Sequence, residues 1–394
     1  MANGTTVVIA SAARTPMGSF QGSLSTVPAP ILGSVAIQAA VQRAQIAPEQ
    51  VGEVLMGCVL PAGLKQAPAR QASLAAQLPQ GVGATTVNKV CGSGMKTLMM
   101  AHDMVQAGSL NVAVAGGMEN MSQAPYLLDK VRNGLRMGHN QVLDHMFLDG
   151  LEDADTGKAM GFFAQQTADA LGFERERMDA FALESLRRAQ TAIDRGVFAP
   201  EIAPVAVTTR HGEQQVTVDE QPSKARPEKI PHLRPAFVND GTITAANSSS
   251  ISDGAAALVV TSVEYAQANR MPILATIKGH ASHAQLPNEF TLAPIGALSK
   301  LLNQLGWQPS DVDLFEINEA FAMVTMAAIQ ALELDANKVN IHGGACALGH
   351  PIGCSGSRIV VTLLHALQAQ GLKRGVASLC IGGGEAVAMA IELA

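Results

Sequence analysis

Two cysteines, a histidine and an asparagine stand in turns where an element begins or ends, and there side chains become reactive. The first, Cys91, lies in Val87-Asn88-Lys89-Val90-Cys91-Gly92-Ser93-Gly94-Met95-Lys96, ahead of an apolar-periodic run from Met95 to Ala107. This pattern predicts strand or loop, tight turn and helix, with Cys91 at or just before the helix N-terminus. Free N–H groups and the helix dipole favour an anion there, so a lowered thiol pKa is expected. The plainer reading is a buried structural cysteine. His350 sits in the glycine-dense stretch Asn340 to Arg358, where it could take a thiol proton or stabilise an oxyanion, or merely cap a turn. Cys380 ends a β-rich run and meets Gly382-Gly383-Gly384, whose N–H groups could form an anion nest; a small buried strand residue is the alternative. Asn318, in Phe315-Glu316-Ile317-Asn318-Glu319-Ala320-Phe321, emerges between strand and helix, where ordinary N-capping would also place it.

The elements that must position these residues alternate. Val7–Ala10 and Glu53–Val59 read as strands, Pro28–Ala44 and Ala67–Gln77 as helices, and Val112–Glu119 as a strand running into a glycine turn. The texture changes from Ser122 to about Asn247, with helices expected over Ala164–Leu171 and Arg177–Arg195 and a loop over Gln221–Pro235. A second cycle then follows: strands at Asp253–Thr261, Pro272–Gly279 and Leu314–Ile317, helices at Pro294–Gly306, Ala320–Leu332 and Ser357–Ala369, and strands at Val376–Cys380 and Ala386–Ile391. Alternation implies α/β with parallel strands and helix-covered faces. The two cycles resemble each other, which suggests a duplicated α/β unit whose equivalent ends converge on one site. The expected division is residues 1–121 completed by 248–270, an inserted helix and loop lobe over 122–247, and a second half over 271–394.

The chain of 394 residues is 47% hydrophobic and 15% charged, with 37 Gly, one Trp and two Tyr, so its core must rest on aliphatic residues and Met. So little charge for this size suggests surface covered by like subunits. A net charge of −6 without a Lys/Arg block leaves no footprint for nucleic acid or anionic membrane, and no apolar run is long enough to span a bilayer. The N-terminus lacks a targeting pattern and the C-terminal Glu-Leu-Ala is not a peroxisomal signal, so a cytoplasmic location is expected. The five cysteines (58, 91, 346, 354, 380) contain no Cys-x-x-Cys pair, and neither a disulfide framework nor a zinc site is indicated.

Taken together, Val90-Cys91-Gly92-Ser93-Gly94, Asn318-Glu319-Ala320-Phe321, Gly349-His350-Pro351-Ile352-Gly353 and Cys380-Ile381-Gly382-Gly383-Gly384 resemble the thiolase family along essentially the whole chain. Gly116-Gly117-Met118-Glu119 and Asp253-Gly254-Ala255-Ala256 are similar to it as well. The resemblance implies a duplicated five-layer α-β-α-β-α core with an inserted lobe that binds CoA. It implies reversible condensation of two acetyl-CoA to acetoacetyl-CoA and CoA through an acyl-cysteine, with CoA thioesters as substrates, no permanently bound cofactor and no metal. Cys91 would be the nucleophile, His350 its base, and Cys380 the acid/base at the α-carbon. Asn318 would hold a water beside His350 in one oxyanion site, and backbone N–H groups near Cys91 and Gly382 would form the other.

Carried over in the same way, Lys224, Arg226 and Lys229 stand about where a basic CoA contact is expected, although a solvated basic loop reads equally well. Ser249 falls where a serine meets the pantetheine amide, and Met160, Phe237 and Phe321 where the substrate-pocket wall runs. Ala159 and Phe290 depart from the short-chain pattern, and Leu186 replaces the Tyr of a potassium-dependent member, so no potassium site is expected. A broader-chain 3-ketoacyl-CoA thiolase, a non-catalytic acyl-CoA or lipid-binding relative, and a ketosynthase are the alternatives. The family also implies a homo-oligomer, a dimer at least and a tetramer by preference.

Overall fold

A computed structural model describes residues 5–210 and 212–393. The terminal residues read above for targeting signals, 1–4 and Ala394, lie outside the described residues. The chain opens with β1 (Val7–Arg14), α1 (Ala29–Arg43), β2 (Glu53–Gly57), α2 (Pro68–Ala75), β3 (Gly83–Val87), α3 (Ser93–Gln106) and β4 (Val112–Asn120). A middle section carries α4 (Met160–Ala170), α5 (Arg175–Asp194) and two small hairpins. β5 (Ser252–Ser262) returns to the core. The second cycle is β6 (Ala275–Ala284), α6 (Ala293–Leu305), β7 (Leu314–Ile317), α7 (Ala322–Ala331), α8 (Ile352–Gln370), β8 (Arg374–Ile381) and β9 (Glu385–Leu393). The expected loop at 221–235 contains a helical turn at Gln221–Lys224 and a 3-10 segment at Pro227–His232. Pro222 and Pro227 fix φ near the helical value at the start of each.

These nine strands, with Gly18–Ser19 paired to β5, form one sheet in the order β7-β8-β9-β6-β1-β5-β4-β2-β3. Read outward from its centre, the sheet has the same order on both sides. One side runs β1-β5-β4-β2-β3 and the other β6-β9-β8-β7, with Val339 bridging to Phe315 where a fifth strand would stand. β1 and β6 join the sides through the pairs Val8–Thr276 and Ile9–Ala275.

The expectation of parallel strands holds only in part. β2 runs parallel to β3 and β4, and β7 to β8. β5, however, lies antiparallel between β1 and β4, and β9 lies antiparallel between β6 and β8. Connection length is the reason at the second site. β8 reaches β9 through Gly382, Gly383 and Gly384, far shorter than the crossover that a parallel pair needs, with φ of 92° and 88° at the last two.

Strands with apolar residues on both faces require cover on both faces. α1 and α2 set Leu32, Ile37, Ala69 and Ala72 against Val8, Val54, Val114 and Val259. α6 sets Leu298 and Leu301 against Val376, Ala388 and Ala390. Between the two sides lie α3 and α8, whose Leu98, Met99, Val360 and Leu364 pack on Leu55, Ala115 and Leu258 one way and on Ala377, Val387 and Met389 the other. Each fully buried side chain of this size contributes roughly 1.5–3 kcal/mol. The result is the expected stack of five layers, α-β-α-β-α.

The two central helices touch backbone to backbone near their N-terminal ends. A Cβ on Gly94 would lie 2.8 Å from Ser357 N, and one on Gly356 would lie 2.4 Å from Met95 N. Cys91 directly precedes α3 and His350 directly precedes α8, so this crossing delivers both residues to the same end of the stack.

Candidate active site

At that end, Cys91, His350 and Cys380 line one cavity of about 440 Å³. Gly382 and Ser249 border it, and Met160, Phe237 and Phe321 form part of its wall. The Cys91 segment of the first half thus meets two segments from the far end of the chain.

The Cys91 turn is tightly made. Ser93 Oγ accepts from Lys89 N at 2.8 Å and donates to Val90 O at 2.6 Å. Val90 sits at φ 45°, a strained conformation for a β-branched residue, held by the structure around it. Sequence reasoning expected a lowered thiol pKa, and here the structure corrects it. Burial pushes the Cys91 thiol up to about 11, although a backbone hydrogen bond from Gly382 works the other way. Burial likewise drives Cys380 well above the ordinary thiol value, and the closeness of Cys91 adds to the shift.

His350 is held by its own chain. Its N–H donates to Ser250 O at 3.1 Å, and its Nδ1 lies 2.5 Å from Ser355 Oγ. Ser355 spends its one hydroxyl hydrogen on Pro351 O at 2.9 Å. Its oxygen is therefore the acceptor for Nδ1–H, which assigns the lone pair to Nε2. Nε2 has no hydrogen-bond partner among the described residues. Burial, with help from the Arg358 guanidinium, holds this imidazole down at about 3, so it is neutral near pH 7. Asn318 Nδ2 lies 3.5 Å from His350 Nδ1; with Nδ1–H given to Ser355 both are donors, so this is a contact and not a hydrogen bond.

Two buried carboxyls brace these segments. Glu119 accepts from Val59 N (2.9 Å), Leu60 N (3.1 Å) and Gly353 N (2.9 Å), tying the end of β2 to the first turn of α8. Burial pushes it up to about 7. Glu319, next to Asn318, accepts from Ser185 Oγ, Asn340 Nδ2 and Cys346 N at 2.7, 2.9 and 3.1 Å. Ser355, Arg358 and the bracing role of Glu119 were not foreseen. The glycine-rich motif marked the place of Glu119, but nothing local signals three N–H partners from two distant segments.

Lys224, Arg226 and Lys229 do not line the catalytic cavity. They border a second one of about 260 Å³ that shares Gln221 and Ala245 with the first. Lys224 is paired with Glu220. Ala159 and Phe290 both belong to the catalytic cavity wall. Phe321 meets Phe237 and Phe290 edge to face, with centroids 5.9 and 6.5 Å apart. Leu186 borders the second cavity.

The family model for the thiolase N-terminal domain matches residues 7–264, and that for the C-terminal domain matches residues 271–393. The chain belongs to the thiolase family. This thiolase is 50% identical over 387 residues to an acetyl-CoA acetyltransferase of Escherichia coli, with 98% of each chain covered. It is 47% identical over 390 residues to the acetyl-CoA acetyltransferase of Cupriavidus necator, covering 98% of this chain and 99% of that one. Among solved structures, the Acat5 thiolase of Ascaris suum in complex with coenzyme A superposes with a TM-score of 0.94 at 42% identity, covering 99% and 100% of the two chains. The acetyl-CoA acetyltransferase of Bacillus anthracis gives 0.97 at 39% identity, covering 99% of each.

Proposed function

We propose that this thiolase is an acetyl-CoA C-acetyltransferase. It joins two acetyl-CoA into acetoacetyl-CoA and CoA, and runs the reverse thiolysis, through an acyl group carried on Cys91. The observation that carries this reading is the meeting of two thiols and a neutral imidazole on one cavity. His350 Nε2 takes the Cys91 proton, and the sulfur attacks the thioester carbonyl. CoA leaves as its thiolate and takes the proton of Cys380, so Cys380 is now the base. It removes the α-proton of a second acetyl-CoA, and the carbanion attacks acetyl-Cys91. As that adduct collapses, the imidazolium returns its proton to the Cys91 sulfur. The enolate is the costly species. His350 Nε2–H, with a water held by Asn318, is proposed to receive it, and the N–H groups of Cys91 and Gly382 the tetrahedral oxyanions.

The cluster of Lys224, Arg226 and Lys229, continuous with the catalytic cavity through Gln221 and Ala245, supports a place for the CoA phosphates. Ser249 is proposed to meet the pantetheine amide. The three edge-packed phenylalanines support a short acyl chain. Ala159, small in the same wall, is the one feature that favours a broader range.

The division into residues 1–121 with 248–270, a lobe over 122–247, and 271–394 belongs to the same proposal. So does a cytoplasmic homotetramer. No helix among the described residues is long and apolar enough to cross a membrane. Exposed Tyr126, Leu128, Leu135, Met137 and Val142 support contact between subunits, which light scattering would report as a mass above that of one chain.

Acetoacetyl-CoA plus CoA, followed by loss of enolate absorbance, is the direct assay. Turnover is expected for the wild type, with a loss of at least about a thousandfold for Cys91→Ser and for Cys380→Ser. Full activity in either variant removes that residue from the mechanism. Longer 3-ketoacyl-CoAs turned over equally well would favour the broader reading.

A further inference from the structure

We propose that His102, Asp103 and His280 form a binding site for a divalent transition metal of the zinc type, on the seam between the two halves and away from the catalytic cavity. Their donor atoms lie within 4.8 Å of one another. Asp103 Oδ1 is 3.0 Å from His102 Nδ1 and 2.8 Å from His280 Nε2. The imidazoles stand edge to face with centroids 5.0 Å apart, so their nitrogens converge on the carboxylate instead of stacking. Two imidazoles and a carboxylate are a donor set suited to zinc, with the fourth position left to water. The carboxylate is exposed and offers a path of entry, while the histidines are largely enclosed.

The backbone makes this meeting possible. β6 carries a bulge against β9, where the register slips between Ile277 and Gly279. Ile277 packs in the central layer, whereas Gly279 faces Leu301 and Leu305 of α6 and Ala281 joins the outer cluster. In an unbroken strand Ile277, Gly279 and Ala281 would share a face and His280 would point away from α3. The extra residue reverses the alternation and turns His280 onto α3, the kind of re-aiming for which bulges are used. Burial also holds His280 below its ordinary value, against the pull of Asp103 and with Lys96 and His102 opposing protonation. Metal ligation requires that neutral imidazole. Bound metal would pin α3, which begins beside Cys91, to β6 of the other half.

The test is a zinc titration of the full chain after iodoacetamide has blocked its accessible thiols, which would otherwise take up the ion. Calorimetry should give one equivalent bound, with affinity at least about tenfold weaker in His280→Ala and in His102→Ala. Zinc should raise the thermal midpoint of the blocked wild type and leave that of the variants unmoved. Without metal and before thiol blocking, His280→Ala should keep wild-type turnover, which shows that it folds; His280→Gln keeps the ring's bulk and should lose zinc equally. Equal titration of wild type and variants, or no uptake by the blocked wild type, overturns the site.

Discussion

A thiol held near 11 and an imidazole held near 3, lining the same cavity, are both neutral at rest. The thiolate fraction of Cys91 then grows with pH until about 11, because its pKa is raised and not lowered. Iodoacetamide should modify Cys91 roughly tenfold faster per pH unit between 7 and 10, read by mass spectrometry of the Cys91 peptide. A rate already level at neutral pH would mean a thiolate–imidazolium pair instead. Cys91, His350 and Cys380 could be singled out as residues of one cavity because reactive residue types stood in glycine-dense turns. The direction of the Cys91 shift was not legible. A helix dipole can be read from local sequence, whereas the burial that outweighs it comes from distant chain, the apolar clusters of Ile381 and of Met146 and Ile352 against which Cys91 packs. Ser355, which fixes the His350 tautomer, lay in plain view five residues on, but only the Pro351 carbonyl decides which partner donates.

Among the elements, the crossing of α3 and α8 matters most to the site. Gly356→Ala would put a methyl 2.4 Å from Met95 N, against backbone that cannot rotate aside. The helices must part, with an expected cost of about 1–3 kcal/mol and a fall in kcat larger than any change in KM, since Cys91 and His350 move apart. Denaturant melts and steady-state kinetics would check both, and unchanged stability would show that the contact gives way freely. Apolar periodicity located nearly all the helices, and alternation exposed the duplicated order. Strand direction was less legible. β5 returns to the core only after more than a hundred residues of middle section, and no local pattern says which neighbour it will pair with. The bulge in β6 was equally hidden, since Ile277-Lys278-Gly279 reads as ordinary strand.

For the molecule as a whole, buried carboxyls set the pH response of stability. Glu119 is pushed up to about 7 and Glu316 to about 8, both by burial. Between their ordinary values and these, the folded chain binds more protons than the unfolded one, so stability falls as pH rises through the window. Below about 6.5 the neutral His350 works in the opposite sense, because the unfolded histidine takes up a proton there. A net decline is therefore expected from about pH 6.5 to 8.5, seen as a falling thermal midpoint, and Glu316→Gln should flatten it. A midpoint that rises across this range would mean that Arg358, 3.6 Å away, keeps Glu316 ionised.

The shared middle layer has a further consequence. Each repeat leaves the apolar flank of its central helix for the other repeat to cover. Cut between the repeats, neither half would keep that flank covered, so the two halves should lose their structure in a single unfolding transition.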